Sequence, residues 1–272
     1  MNHNLVRVSS DFKMLPTMSN SNFSVAYNNT QLIQGITSVV MNSCDIPNVF
    51  PNINDTGYNF ENSGNNVFLF TDKDGNLQTV NVPAGQYTIT QLLAVINNFI
   101  ASLAAPYTPA NGVTLTLNPI TNKIQVNNNT AGQLFGLPAT NPAFTMKPYI
   151  GLTTSIVLVG TSSSSLQDLP NLAGIQEVYI TSQKVSNFSN LVVADGIQYP
   201  CILNVQIDVP YGQFAHYKAQ NPEIDDIEYP SITQGLNLQV IDIQLRDRWG
   251  NILDLQGLPF NLIMKAYHGH SN

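Results

Sequence analysis

The chain has 272 residues and a mass of 29.8 kDa, which predicts one large domain or two small ones. Charged residues make up 10% of the chain, against about 25% in an ordinary soluble domain, and 34 Asn and 18 Gln replace most of the missing charges. The net charge of −7 argues against a nucleic-acid binder, because such proteins cluster Lys and Arg to displace counterions from phosphate. We therefore expect no direct contact with nucleic acid.

Secretion, membrane and disulfide signals are weak in this sequence. Residues 1–10 lack the apolar stretch of a signal peptide. The longest apolar run, residues 92–105, is interrupted by two Asn and is shorter than the about 20 residues of a membrane span. Cys44 and Cys201 are too few for a disulfide framework, and we expect two free buried thiols in a reducing compartment.

Two β-hairpins are predicted in the first half of the chain. Apolar β-like runs flank Asp72–Asn76, where an Asp-Gly pair supplies the positive φ that a tight turn needs. Two further runs, residues 113–117 and 123–126, flank a polar turn at Asn118–Asn122. Each pattern is typical of antiparallel strands joined by a short connection.

One helix is predicted between these hairpins. Thr88 and Gln91 have the spacing of a capping box, and apolar residues follow at helical spacing until Pro106, which should end the helix. The helix and the hairpins together predict a small α+β insertion over residues 65–150.

The second half of the chain is predicted to consist of strands joined by turns. Residues 202–209 alternate with period two, which predicts a half-buried strand with Leu203 on the apolar face and Ile202 on the polar face. Residues 161–165 predict a loop. Further strands are expected at residues 236–245, where a phase slip indicates a β-bulge, and at residues 259–267. Many short strands and few helices predict a β-sandwich or barrel.

Few residues offer catalytic or metal chemistry. Asp72–Asn76 resembles the start of a calcium loop, but Pro83 stands where the bidentate Glu belongs, so we interpret it as a hairpin turn. Asp247–Asn251 has the same Asp-x-x-Gly-Asn pattern and also needs only a turn. His268 and His270 alternate as strand ligands would, but we expect a solvated tail there.

Two other groups admit a functional interpretation. Glu223, Asp225, Asp226 and Glu228 lie in a segment bounded by prolines, where paired carboxylates could perform acid–base chemistry but a solvated loop is favoured. Residues 211–217 combine aromatic side chains with His216, and they fit either a contact patch or a strand packed in the core. The sequence contains no nucleophile elbow and no Gly-rich phosphate loop.

Four stretches, in this order, resemble a known family. They include Ile46-Pro47-Asn48 at the end of a strand, Val82-Pro83-Ala84-Gly85 before the helix, and Arg248-Trp249-Gly250-Asn251 before the last strands. The full stretches are residues 19–23 followed by 35–48, residues 82–88, residues 172–182, and residues 245–257 followed by 259–267. The chain resembles the penton and minor capsid proteins of virophages, polinton-like viruses and nucleocytoplasmic large DNA viruses.

The resemblance implies an all-β fold, a single jelly-roll sandwich with an α+β insertion that contains one helix. It implies that residues 1–16 form an N-terminal arm that orders against a neighbouring subunit. It also implies that residues 17–64 and 151–272 form the jelly-roll core and that residues 65–150 form the insertion domain. Five copies would form a ring at an icosahedral vertex of the virion, with the major capsid protein and a host surface receptor as further partners. The family carries no catalytic motif, so the resemblance implies no catalytic, cofactor-binding or metal residues and no enzyme.

Two alternatives stay open beside this capsid hypothesis. The first is a viral fibre or host-receptor module that binds glycans, favoured by loops rich in Tyr and Asn. The second is a carbohydrate-active enzyme on a jelly roll that uses Glu223 and Asp226.

Overall fold

The computed structural model describes residues 3–27, 35–55, 64–72, 75–102, 112–129, 134–185, 191–194, 197–219, 226–228, 239–248 and 250–268. The strands in chain order are β1 (His3–Ser9), β2 (Asn22–Ala26), β3 (Ile36–Pro47), β4 (Val67–Thr71), β5 (Leu77–Asn81), β6 (Val113–Leu117), β7 (Ile124–Asn128), β8 (Leu134–Leu137), β9 (Ile156–Val159), β10 (Ser162–Ser165), β11 (Glu177–Thr181), β12 (Leu191–Ala194), β13 (Ile197–Gln206), β14 (Phe214–Lys218), β15 (Asp226–Glu228), β16 (Val240–Arg246) and β17 (Asn261–His268). The helices are α1 (Ile89–Ser102), α2 (Lys147–Ile150) and a 3-10 turn at Ser10–Phe12.

The chain divides into two compact units. Unit 1 consists of residues 1–50 and 175–272, and unit 2 consists of residues 51–174. Unit 2 is longer at both ends than the predicted insertion of residues 65–150. The extra length follows from strand pairing, because β9 pairs with β8 and β10 pairs with β7 inside the unit, and Ile53 bridges to Gly85. That unit 2 is an insertion domain stays a prediction.

Unit 1 is built from two antiparallel sheets. Sheet A has the order β1-β17-β3-β14, with β15 also paired to β3, and sheet B has the order β12-β13-β11-β16-β2. Strands of both sheets, such as β14 and β2, alternate between buried residues and residues that are exposed or half-buried. Phe23 of β2 and Phe260, just before β17, meet edge to face with 6.1 Å between ring centroids, so side chains from both sheets contribute to one core.

The N-terminal segment differs from the predicted arm. Residues 3–9 form β1, which pairs with β17 in continuous register from His3–Tyr267 to Ser9–Asn261. Val6 and Val8 of this strand are buried in unit 1. Burial alternates from Leu5 to Val8, and β1 lies at the end of the strand order, so it is an edge strand of the chain's own sheet.

Unit 2 contains two smaller antiparallel sheets and helix α1. Their strand orders are β5-β4-β8-β9 and β10-β7-β6. Both predicted hairpins are confirmed, as β4–β5 and β6–β7. The buried core is rich in phenylalanine: the ring centroids of Phe68 and Phe144 lie 5.2 Å apart, and those of Phe70 and Phe135 lie 5.4 Å apart.

Helix α1 begins as the capping box predicts. The backbone N–H of Gln91 donates to Thr88 Oγ1 (3.2 Å), and the backbone N–H of Thr88 donates to Gln91 Oε1 (2.9 Å). The predicted apolar face is the buried one, with Leu92, Leu93, Ile96 and Ile100 in the core. Pro106, the predicted end of the helix, lies outside the described residues.

Two sequence-based expectations are corrected. Ser162–Ser165, expected as a loop, forms strand β10, because its backbone pairs with β7 although its side chains carry no β pattern. Ile202, expected on the polar face, is 6% exposed. It is the extra residue of a β-bulge, since Leu203 pairs with Ile180 and Cys201 pairs with Thr181, and a bulge reverses the alternation. The first part of the predicted strand at residues 236–245 lies outside the described residues.

Candidate assembly surfaces

A group of exposed apolar side chains lies near the N-terminus of unit 1. It consists of Phe12, Met14, Leu15 and Leu258, which are 62%, 49%, 55% and 39% exposed. We refer to these four residues as the N-terminal apolar surface. Large apolar side chains that gather at the surface mark contact sites more often than those that occur singly.

Hydrogen bonds hold the backbone beneath this surface. Ser9 caps the 3-10 turn by accepting from the Asp11 N–H, and the Met14 N–H donates to Ser24 O (2.8 Å). Lys13 Nζ donates to Asn20 Oδ1 (2.8 Å). Asn20 Nδ2 in turn donates to the carbonyls of Gly257 and Leu258 (2.9 Å each), which brings Leu258 to the same loop.

A polar network covers part of the solvent face of sheet B. Tyr179 Oη donates to Glu177 Oε2 (2.6 Å), and Gln206 Nε2 donates to Glu177 Oε1 (3.1 Å). These two hydrogen bonds lower the pKa of Glu177, and the bond to Glu177 raises the pKa of Tyr179 to about 12. The network fixes both side chains in place on the sheet.

Arg246 forms a second group of contacts on sheet B. Its guanidinium lies 4.0 Å from the ring centroid of Tyr199, a cation–π contact. It donates to Gln244 Oε1 (2.7 Å) and to the carbonyl of Gly250. Partial burial lowers the pKa of Arg246. Tyr and Arg are enriched at protein interfaces, and here both are already held in position.

The predicted contact patch at residues 211–217 lies at the β14 edge of sheet A. His216 Nδ1 lies 2.7 Å from Asp45 Oδ1, and both side chains are exposed. The ring of Phe214 stacks beside His216 with 6.5 Å between centroids. Ala215 is buried while Phe214 and His216 are exposed. One face of the strand therefore packs in the core, and the other face, with its aromatic side chains, is available as a contact patch.

Both Asp-x-x-Gly-Asn motifs are turns, as predicted. The Asn76 N–H donates to Asp72 Oδ1 (2.8 Å), and the Asn251 N–H donates to Asp247 Oδ1 (2.9 Å). Gly75 and Gly250 have φ of +78° and +87°, which glycine adopts without strain. The carboxylates of Asp72 and Asp247 are buried, and each accepts a backbone hydrogen bond that closes its turn.

The other predicted candidates lie largely outside the described residues. Glu223, Asp225 and His270 belong to segments that the structure does not describe, and Asp226, Glu228 and His268 are described only as strand backbone. Within the described part of the chain, no group of three or more His, Cys, Asp or Glu is placed to hold a metal ion. None of the described helices has the length and hydropathy needed to cross a bilayer.

The two cysteines are free, as expected, and differ in burial. Burial, with the neighbouring Asp45 charge, raises the pKa of the buried Cys44 thiol well above its ordinary value. Burial raises the pKa of Cys201 to about 11, and this side chain is only half-buried, contrary to expectation. A thiol with a raised pKa is a poor nucleophile at neutral pH.

Comparison with solved structures relates this fold to viral proteins. The mavirus penton protein aligns over 98% of this chain and 99% of its own, with a TM-score of 0.53 and 9% identity. A structure from the Sputnik virophage, solved by cryo-EM, aligns over 98% of both chains with a TM-score of 0.41 and 13% identity. No family model and no curated protein matches the sequence.

The chain has the fold of the mavirus penton protein. The correspondence includes nearly every residue of both chains, so it extends over unit 1 and unit 2. It confirms the prediction of an all-β jelly-roll fold with one long helix. At 9% identity it is a likeness of fold, and function requires a separate argument.

Proposed function

We propose that this chain is a structural capsid protein, a penton that forms a five-membered ring at the icosahedral vertices of a double-stranded DNA virus. The observation that carries the proposal is the end-to-end correspondence with the mavirus penton protein, 98% of one chain and 99% of the other. A shared sandwich alone is common among unrelated proteins, but a second unit included in the same alignment is a more specific likeness.

The composition and the surface support a role in assembly. Amide-rich, charge-poor surfaces suit close contact between subunits, because an unpaired charge in an interface costs far more than a paired amide. Three of the described carboxylates are engaged in local hydrogen bonds: Asp72 and Asp247 in turns, and Glu177 with Tyr179 and Gln206. The protein acts without catalysis or cofactor, and its partners are other copies of itself and the major capsid protein. Its location is the virion, which assembles inside the host cell.

The first test measures mass in solution by light scattering over a concentration series. A ring of five 29.8 kDa chains has a mass of about 149 kDa. A species of this mass that grows with concentration is the expected result. A trimer would instead favour the fibre alternative.

A second test asks whether the chain is part of the particle. Purified virions are digested and their peptides quantified against the major capsid protein, and we expect a fixed ratio that corresponds to five copies for each of twelve vertices, about 60 per particle. Absence of the chain from purified particles would contradict the capsid role whatever its mass in solution.

A glycan-binding module is the second candidate, favoured by the solvent face of sheet B. Tyr199 and Tyr179 offer aromatic groups beside the hydrogen-bonding groups of Glu177, Gln206 and Arg246. This function predicts binding to some members of a glycan array and loss of that binding in Tyr199→Ala. A vertex protein could carry both functions, and no binding across the array would remove this one.

A further inference from the structure

We propose that the N-terminal apolar surface, formed by Phe12, Met14, Leu15 and Leu258, is the contact through which one copy of this chain binds the next. The inference rests on the proposed function and names the surface that such a ring would use. Unit 1 exposes eight large apolar side chains among its described residues, and these four are half of them. Three of the four lie within four consecutive positions of the chain.

The exposure of these side chains is built into the fold. An unconstrained loop would turn Phe12, Met14 and Leu15 inward, because burying such a side chain gains about 1.5–3 kcal/mol. Here Ser24 holds the backbone of Met14, and the Met18 N–H donates to Leu15 O (3.0 Å). The loop is therefore fixed in a form that presents its apolar side chains outward.

The two segments of the surface are joined side by side. Lys13 binds Asn20, and Asn20 donates to the carbonyls of Gly257 and Leu258. Leu258 thus lies next to the loop that carries Met14 and Leu15, although it is far away in sequence. Ser10 reinforces this junction, since its N–H donates to Phe260 O and its hydroxyl accepts from the Phe260 N–H (3.0 Å each).

The size of the surface fits a protein partner. The four residues, which are 39–62% exposed, can form the apolar centre of an interface to which each partner contributes about 800 Å². Polar groups of Asp11, Lys13 and Asn20 lie around them. An apolar centre with a polar rim is the usual anatomy of such an interface.

Charge favours a second copy of the chain as the occupant. Lys13 is only partly buried, and the partner shown for its ammonium is the neutral amide of Asn20. A second copy has 17 acidic and 10 basic residues, so it offers this ammonium group more carboxylates than cations. In a closed ring the contact is heterologous, so the surface binds a different part of the neighbouring copy.

The test compares two triple variants of the full chain by light scattering. The first, Phe12→Ser/Met14→Gln/Leu15→Ser, removes the surface. The control, Ile120→Ser/Val159→Ser/Leu169→Ser, removes three side chains of unit 2 that are 88%, 68% and 58% exposed. We expect the first variant to associate only at a concentration at least about tenfold higher, because the loss of interface hot spots weakens binding by that factor or more. We expect the control to associate like the wild type.

Three results would overturn the inference. They are association of the first variant at the wild-type concentration, an equal loss in the control variant, and a wild-type chain that is monomeric at every concentration. The first two results leave the proposed function undecided. A wild-type monomer at every concentration also contradicts a ring in solution, and the content of purified virions then tests the capsid role separately. A dimer lost in the first variant would support the contact while contradicting the ring.

A cross-linking experiment keeps the inference testable if the triple variant fails to fold. A photoreactive benzoyl-phenylalanine replaces Leu15 alone, and the purified chain is irradiated. We expect a covalent dimer whose cross-linked peptide belongs to a second copy of the chain. Two results would overturn the inference. One is the absence of such a dimer, and the other is a cross-link that forms only to the major capsid protein when that protein is added.

Discussion

The same turn, Asp-x-x-Gly-Asn, reverses the chain once in unit 1 and once in unit 2, but the cores of the two units differ. Unit 2 concentrates its buried aromatic rings in Phe68, Phe70, Phe135 and Phe144, which contact one another in pairs. The buried residues of unit 1 are mostly Val and Ile side chains of its strands. Among its described residues, one ring contact joins two buried phenylalanines, Phe23 and Phe260. A few residues therefore carry much of the stability of unit 2.

The largest expected effect comes from truncating an aromatic side chain of unit 2. Phe68→Ala leaves a cavity at a fully buried position and should lower the free energy of unfolding by about 3–5 kcal/mol. Phe214→Ala, at an exposed position of β14, is the control and should cost less than about 1 kcal/mol.

Hydrogen exchange measures where this stability is lost. We expect Phe68→Ala to reduce amide protection in α1 far more than in β16, because α1 packs in the core that contains Phe68. Equal loss of protection in both elements would show that the units unfold as one cooperative body and would contradict the contrast between them.

A smaller effect distinguishes two buried asparagines of unit 2. Asn52 Nδ2 donates to the carbonyls of Tyr87 (2.7 Å) and Leu172 (3.0 Å), and its Oδ1 accepts from the Tyr87 N–H (2.9 Å). These bonds tie the first residues of unit 2 to its last ones. Asn52→Ala should therefore cost about 2–3 kcal/mol by urea unfolding, since buried backbone groups lose their partners.

Asn54 is the matched control for Asn52. It is equally buried, but neither atom of its side-chain amide has a hydrogen-bond partner in the structure described. Removing an amide that makes no hydrogen bond releases its desolvation cost, so Asn54→Ala should change stability by less than about 1 kcal/mol. Equal losses in the two variants would show that side-chain volume, and not the hydrogen bonds, determines the effect.

The paired turns allow a direct comparison between the units. Asp72→Ala and Asp247→Ala each remove a carboxylate that accepts from the backbone N–H four residues further on, and each should cost about 1–3 kcal/mol in chemical unfolding. We expect the two values to agree within about 1 kcal/mol because the turns share this bond, and in each turn a side-chain amide donates to the second carboxylate oxygen. A larger difference would mean that the surrounding core determines the cost.

Sequence signals predicted the elements whose information is local. The capping box of Thr88 and Gln91 and the turn signal at Gly75 lie within a few residues of the structure that they specify, so both predictions are confirmed. The sequence did not predict β1 and β10, because β1 is a strand through its pairing with β17 and β10 through its pairing with β7. Backbone pairing with a distant strand does not require a recognisable pattern of side chains.

The candidate surfaces were harder to predict for a related reason. Residues 1–16 contain apolar side chains without a period, which indicates neither a strand nor a helix. Whether Phe12 or Leu15 is exposed depends on contacts with Ser24 and Asn20, which hold the loop. The network around Glu177 likewise joins residues from two strands of sheet B, β11 and β13, which only their register brings together.

The smallest expected effect concerns that network and its pH dependence. The folded-state pKa of Glu177 is lowered, first by its hydrogen bond from Tyr179 and then by that from Gln206. A carboxyl group with a lowered pKa stabilises the fold above its unfolded-state pKa of about 4.3, and this contribution is lost as pH falls through the folded-state value. Tyr179→Phe should therefore raise the pKa of Glu177 and reduce stability at pH 7 by about 0.5 kcal/mol, since the pair is partly exposed.

The measurement is urea unfolding of wild type and Tyr179→Phe at several pH values between about 2 and 7. We expect the two stability curves to converge as the pH falls, because protonated Glu177 gains little from the Tyr179 hydroxyl. Tyr267→Phe on sheet A is the control, and its difference from wild type should not depend on the state of Glu177. A constant offset between wild type and Tyr179→Phe at every pH would mean that the hydroxyl contributes through packing and not through the charge of Glu177.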